Sequence, residues 1–185
     1  MINEIKEETK ERMTKSLEAL QTAFNKIRTG RAHPSLLENV MVDYYGSPTP
    51  ISQLANIGTD DARTLVVSPW EDKIVPEVEK AIMKSDLGLN PTTAGKVIRV
   101  PMPMLTEETR KGYYKQAKDE AEKARVSIRN ARRDANSTLK DLVKDKDISE
   151  DEERKAQDDV QKITNTFIAD VEKMLQVKEA DLMEI

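Results

Sequence analysis

Residues 106–147 contain no proline and one glycine, Gly112, while apolar residues return every third or fourth position at Ala117, Ala121, Ala124, Ile128, Ala131, Ala135, Leu139 and Leu142. Such a stretch predicts one unbroken helix, and at 1.5 Å per residue it runs for about 60 Å. A compact domain of 185 residues needs no element of that length. The chain is therefore expected to be elongated, with other helices laid along this one. The alanines in the seam let those neighbours approach closely, and Thr106-Glu107-Glu108 offers a capping hydroxyl and two acids at the helix start.

Two partner helices are legible. Met13, Leu17, Leu20, Phe24 and Ile27 are spaced alternately by four and three, which predicts a helix over about residues 3–28. It closes at Thr29-Gly30, because glycine takes the left-handed conformation, and His33-Pro34 disfavours a restart. Ser149-Glu150-Asp151-Glu152 reads as a capping box that opens a third helix with Val160, Ile163, Phe167, Val171 and Met174 inside. The short link Lys146-Asp147-Ile148 makes the second and third helices antiparallel. Aromatic residues are 4% of the chain and charged ones 35%, a balance that suits slender helices with most of their circumference in water.

All eight prolines fall within residues 31–105. There Val40–Tyr45, Thr64–Val67 and Lys96–Val100 read as strands, and Pro76–Leu87 as a helix with proline in its first turn and Gly88 beyond its end. The expected class is α+β: an elongated antiparallel three-helix bundle from residues 1–30 and 106–185, with a small, β-rich α/β domain inserted at residues 31–105. Two chain crossings, near Gly30-Arg31 and Pro103-Met104-Leu105, join the parts. A double connection either bends about one axis, as a hinge, or is a rigid corner fixed by packing.

The sequence points away from catalysis. It has no cysteine, hence no disulfide and no thiolate zinc site. The one histidine, His33, sits beside Pro34 and reads as a connector. Glu150–Glu153 are consecutive on a helix start, so they diverge and favour the helix dipole rather than a metal. Gly88–Val97 superficially resembles a phosphate-binding loop, but six residues separate its glycines, Val97 replaces the metal-binding hydroxyl, and a strand follows. No catalytic residue, metal or cofactor is expected. The charged N-terminus does not resemble a signal peptide and no run is long enough for a membrane span, so the expected location is the cytoplasm and no membrane partner is foreseen.

One constellation remains. The net charge is −4, yet from Lys123 to Arg133 there are five basic residues and no acid. Arg125, Arg129, Arg132 and Arg133 fall within a sector of about 100° of the helix circumference, turned away from the alanine seam. Guanidinium groups pair well with phosphate, and Lys26, Arg28 and Arg31 form a second basic group. On composition alone the face is a solvated charged surface, a contact for RNA or DNA, or a dock for an acidic protein. Nothing indicates sequence-specific readout.

The motifs also carry a family resemblance. Lys26-Ile27-Arg28-Thr29-Gly30-Arg31-Ala32 with Pro34-Ser35-Leu36-Leu37, Tyr44-Tyr45-Gly46 with Pro48 and Pro50, Ser85–Pro91, Ile98–Pro101 through Leu105–Glu108, and Arg129-Asn130 with Arg132–Asn136 stand in the order and spacing of bacterial ribosome recycling factors. The chain resembles that family over its whole length. The resemblance implies an L-shaped molecule without enzymatic activity. It implies binding to the post-termination ribosome, on the large subunit and its ribosomal RNA, and separation of the subunits with elongation factor G and GTP. It carries RNA contact onto Arg129, Arg132 and Arg133, with Arg28 and Arg31 as further members; Arg125 joins by geometry. A hinge role falls on Gly30, Arg31, Pro103 and Leu105. The helical seams are used up internally, so a monomer is expected.

Overall fold

The computed structural model describes residues 1–27 and 30–183. The chain divides into two compact units, Met1–Arg28 with Glu107–Glu184, and Thr29–Thr106.

The first unit consists of α1 (Ile2–Asn25), α3 (Glu107–Lys144) and α4 (Glu150–Met183), each packed on the other two. The buried side of α3 is Ala117, Ala121, Ala124, Ile128, Ala131, Ala135 and Leu139, the seam expected from periodicity. Against it lie Met13, Leu20 and Phe24 of α1 and Val160, Val171, Leu175 and Leu182 of α4. The buried hydroxyls of the bundle, those of Thr9, Ser16 and Thr164, are all hydrogen-bonded. Thr9 and Thr164 donate to the carbonyls of Ile5 and Val160 four residues back, and the Ser16 hydroxyl pairs with that of Ser127 at 2.7 Å, tying α1 to α3. The turn between α3 and α4 takes a left-handed residue, Lys146 at φ 60°. At the start of α4 the capping box is complete: the Glu152 amide donates to Ser149 Oγ at 3.1 Å and the Ser149 amide to Glu152 Oε1 at 3.3 Å.

The second unit holds a hairpin, β1 (Met41–Tyr44) with β2 (Ser47–Pro50), and an antiparallel four-stranded sheet of β3 (Ala55–Asp61), β4 (Thr64–Pro69), β5 (Thr92–Ala94) and β6 (Val97–Pro101) in the order β3-β4-β6-β5. Helix α2 (Val75–Lys84) presents Val75, Val78 and Ile82 to the core. Leu37, Val42, Ile51, Leu65, Val67, Ile98 and Val100 complete an aliphatic interior.

Two helices end earlier than their sequence suggests. Helix α1 stops at Asn25 rather than near 28, because the Lys26 and Ile27 amides turn to carbonyls three residues back and Lys178 Nζ takes the Ile27 carbonyl at 3.0 Å. Helix α2 stops at Lys84 rather than Leu87, because the Ser85 hydroxyl donates to the Ile82 carbonyl at 2.6 Å and its backbone turns extended. Strands β2, β3 and β5 carry no clear sequence signal. Strand β2 holds Pro48 and Pro50, which is tolerable because among the described residues only β1 pairs with it, leaving its other edge without ladder bonds.

Candidate nucleic-acid interface

The four arginines of α3 share a side of the helix but differ in freedom. At 100° per residue Arg125 and Arg132 lie about 60° and about 40° from the buried Ile128, Arg129 about 100° and Arg133 about 140°. The first two therefore flank α4, and the last points away from the bundle. Arg125 is the most enclosed, its side chain 17% exposed; Nε donates to Glu172 Oε1 of α4 at 2.7 Å and an Nη atom to Glu122 Oε2 at 2.8 Å. Those bonds hold its pKa above the ordinary arginine value, Glu172 contributing most, although burial acts the other way. The expectation that all four arginines face outward therefore fails for Arg125, which staples α3 to α4 across a distance in sequence that no local pattern reveals.

Arg129 lies 3.7 Å from Glu122 Oε1, a loose contact with a carboxylate that Arg125 already uses. Arg132 donates to Gln161 Oε1 at 3.2 Å, and because that partner is neutral the positive charge of Arg132 is uncompensated among the described residues. Arg133 is exposed and makes no hydrogen bond or ion pair among the described residues. Electropositive character thus rises from Arg125 through Arg129 to Arg132 and Arg133.

The same face extends beyond the arginines. Lys111, Lys115 and Lys118 precede them and Lys140 and Lys144 follow, at steps of three and four, all exposed and none in an ion pair among the described residues. From Lys111 to Lys144 the stripe is about 50 Å long, interrupted by Glu122 and Asn136. These lysines carried a signal, since they continue the spacing of the arginines, but it is diluted in the sequence by Glu120, Asp134 and Asp141, which the helix turns to other sides, and by Asp119 at the edge of the stripe.

In the second unit the junction residues are anchored by one turn. The Ala32 amide donates to the Ala62 carbonyl at 2.8 Å, the Met102 amide to the Arg63 carbonyl at 2.7 Å, and Arg63 Nη2 back to the Met102 carbonyl at 3.3 Å. Both chain crossings are thereby fixed to the turn between β3 and β4. Beyond them Gly30 has φ 78°, Arg31 and Pro103 are exposed and Leu105 is half-buried; Arg28 lies outside the described residues. His33 caps the short 3₁₀ turn Pro34–Leu37, its Nδ1 accepting from the Ser35 amide at 3.2 Å.

The ribosome recycling factor family model matches residues 20–183. The chain belongs to the ribosome recycling factor family. It is 68% identical over 185 residues to the ribosome-recycling factor of Saccharophagus degradans, with all of both chains covered. A solution structure of a ribosome recycling factor superposes with TM-score 0.75 at 38% identity, covering 100% of this chain and 98% of that one. A model of the T. thermophilus recycling factor and E. coli elongation factor G bound to the E. coli post-termination complex matches with TM-score 0.66 at 43% identity, covering 99% of each chain. The resemblance carried by the motifs holds along the whole sequence, and the α+β fold is that of the ribosome recycling factors.

Proposed function

We propose that the chain performs ribosome recycling by laying the basic stripe of α3 on the ribosomal RNA of the large subunit, with Arg129, Arg132 and Arg133 as principal contacts. The observation that carries this assignment is the uncompensated charge of Arg132 and Arg133 at the centre of a lysine-flanked stripe. The guanidinium groups offer paired donors to phosphates, and no base-reading set accompanies them, so contact is with the backbone and shape of the RNA. Arg125 supports the stripe by holding α3 to α4, while Arg28 and Arg31 contribute a second contact near the junction.

In this reading the chain binds the post-termination ribosome and, with elongation factor G and GTP, separates its subunits. Membership of the family and the similarity to a recycling factor in models of it and elongation factor G bound to that complex support it. The hinge role falls on Gly30, Arg31, Pro103 and Leu105, which stand beside Ala32 and Met102, the points where backbone hydrogen bonds tie the insert to the turn between β3 and β4. The chain makes and breaks no covalent bond, takes no cofactor, and works as a monomer in the cytoplasm. Among the described residues no helix is long and apolar enough to cross a membrane.

Light scattering of post-termination ribosomes tests the reading. A fall that requires this chain, elongation factor G and GTP together is expected, and Arg132→Glu should abolish it at unchanged helical content. Full splitting by that variant would remove the RNA face from the mechanism.

A further inference from the structure

The insert contains three aromatic residues, Tyr44, Tyr45 and Trp70, and none belongs to its fully buried core, which is aliphatic. All three instead gather at one place on its surface. Tyr45 and Trp70 are 73% and 66% exposed, although large rings are among the side chains that gain most from burial.

The gathering is ordered around a carboxylate. Tyr44 Oη donates to Glu71 Oε1 at 2.8 Å and Tyr45 Oη to Glu71 Oε2 at 3.4 Å. The two tyrosine rings meet edge to face with centroids 4.7 Å apart. The Trp70 backbone is pinned by its amide to the Leu54 carbonyl at 3.0 Å. Beside Tyr44, Trp70 and Glu71 is an open cleft of about 260 Å³, whose walls also include Gln53 and Ile74, with Tyr45 reaching Glu71 from outside it.

The backbone also carries a cost to keep Tyr45 here. Tyr45 and Gly46 are the two loop residues of the β1–β2 hairpin, with φ 52° and 86°. A hairpin loop with both residues left-handed favours Asn-Gly. A tyrosine in the first position is strained, and strain of this kind concentrates where a side chain has work beyond folding.

We propose that Tyr44, Tyr45, Trp70 and Glu71 form a receptor for the guanidinium group of an arginine side chain carried by a basic protein partner. Aromatic faces present negative potential to a cation, and a planar guanidinium can stack on a ring while donating to a carboxylate in its plane. The two tyrosine hydroxyls already donate to Glu71, so their remaining lone pairs and those of the carboxylate are acceptors, matched to a group that only donates. A nucleic-acid phosphate is the wrong sign for a site centred on Glu71. A purely apolar partner would leave that carboxylate unpaired. The inference concerns the insert alone and stands apart from the RNA face of α3.

Trp70 is the only tryptophan in the chain, so its fluorescence reports on the cleft without labelling. The full chain is titrated with N-acetyl-Gly-Arg-Gly-amide, with the same peptide carrying neutral citrulline, and with spermidine. A saturable change is expected with the arginine peptide below about 20 mM, with citrulline at least about tenfold weaker and spermidine weaker than arginine. Glu71→Gln and Tyr45→Ala should each weaken the arginine peptide by about tenfold, while Tyr45→Phe, which keeps the ring, retains most of the affinity. Equal binding of arginine and citrulline, no saturation by arginine, or unaltered affinity in Glu71→Gln overturns the proposal. Tighter binding of spermidine than of the arginine peptide overturns the assignment to a protein partner. Circular dichroism of each variant verifies the fold, and none of these residues touches the arginines tested by subunit splitting.

Discussion

Arg133 and Arg125 stand two helical turns apart and differ in what holds them, so removing each should have opposite consequences. Arg133 has no partner among the described residues. Its charge is free to replace a counterion on an RNA phosphate, and each phosphate neutralised contributes about 0.7 to 0.9 to the slope of log affinity against log salt. Between 50 and 200 mM salt, a fourfold rise, one contact accounts for about a threefold loss of affinity. Arg133→Ala should therefore bind large subunits more weakly at 50 mM salt, lose about threefold less than the parent across that range, and melt at an unchanged temperature. Arg125 already serves Glu172 and Glu122. Arg125→Ala should keep the parental salt slope while losing about 1 kcal/mol, since both carboxylates are half exposed and water recovers part of the loss. For a chain of this size that is a melting shift of about 2–4 °C. The assay is equilibrium binding of fluorescently labelled protein to purified large subunits at four salt concentrations, beside thermal melts of the same preparations. A parental slope in Arg133→Ala together with a reduced one in Arg125→Ala would refute the division of labour drawn from the hydrogen bonds.

Ser149→Ala should lower the urea midpoint through a loss of about 1 kcal/mol, because it removes the oxygen that receives the Glu152 amide at the start of α4; an unchanged midpoint would mean that the capping box contributes nothing. Leu139→Ala opens a cavity beside Ile148 and Ala156 at the turn end of the bundle and should cost about 2–5 kcal/mol by chemical denaturation. The Lys6–Asp159 pair, 2.5 Å apart, holds the Asp159 pKa below 3.8, chiefly through the hydrogen bond from Lys6. A carboxylate with a depressed native pKa stabilises the fold above its unfolded pKa and loses that contribution as pH falls through the native value. The melting difference between the parent and Asp159→Asn should thus be present at neutral pH and shrink below pH 3.8.

Helices α3 and α4 were legible because their signals are local. The alanine seam repeats every three or four residues, and Ser149 with Glu152 writes a cap within four positions. The insert was legible only in part. Val42, Leu65, Val67, Ile98 and Val100 stand in β-branched or alternating runs, whereas β2 owes its existence to pairing with β1 across the Tyr45-Gly46 turn and β3 to pairing with β4. Strands made by their partners leave little trace in their own residues. The ends of α1 and α2 were obscured for a related reason: Lys178 reaches Ile27 from 151 residues away, and no count of helical periods anticipates it.

The candidate site shows the same limit in electrostatic terms. Sequence gives the angular position of each arginine on α3, and this was enough to gather Arg125, Arg129, Arg132 and Arg133 on one side. It does not give the local charge, because that depends on what the neighbouring helix brings. Helix α4 sets Glu172 against Arg125 and the neutral Gln161 against Arg132, so two arginines seven residues apart acquire different roles from their partners alone. If those partners rather than helical position decide availability, then Gln161→Glu should convert Arg132 into a second Arg125. The variant should bind large subunits with a shallower salt dependence, by about 0.7 to 0.9 in slope, without loss of melting temperature. An unchanged slope would mean that Arg132 leaves Gln161 on binding and that angular position was the better guide after all.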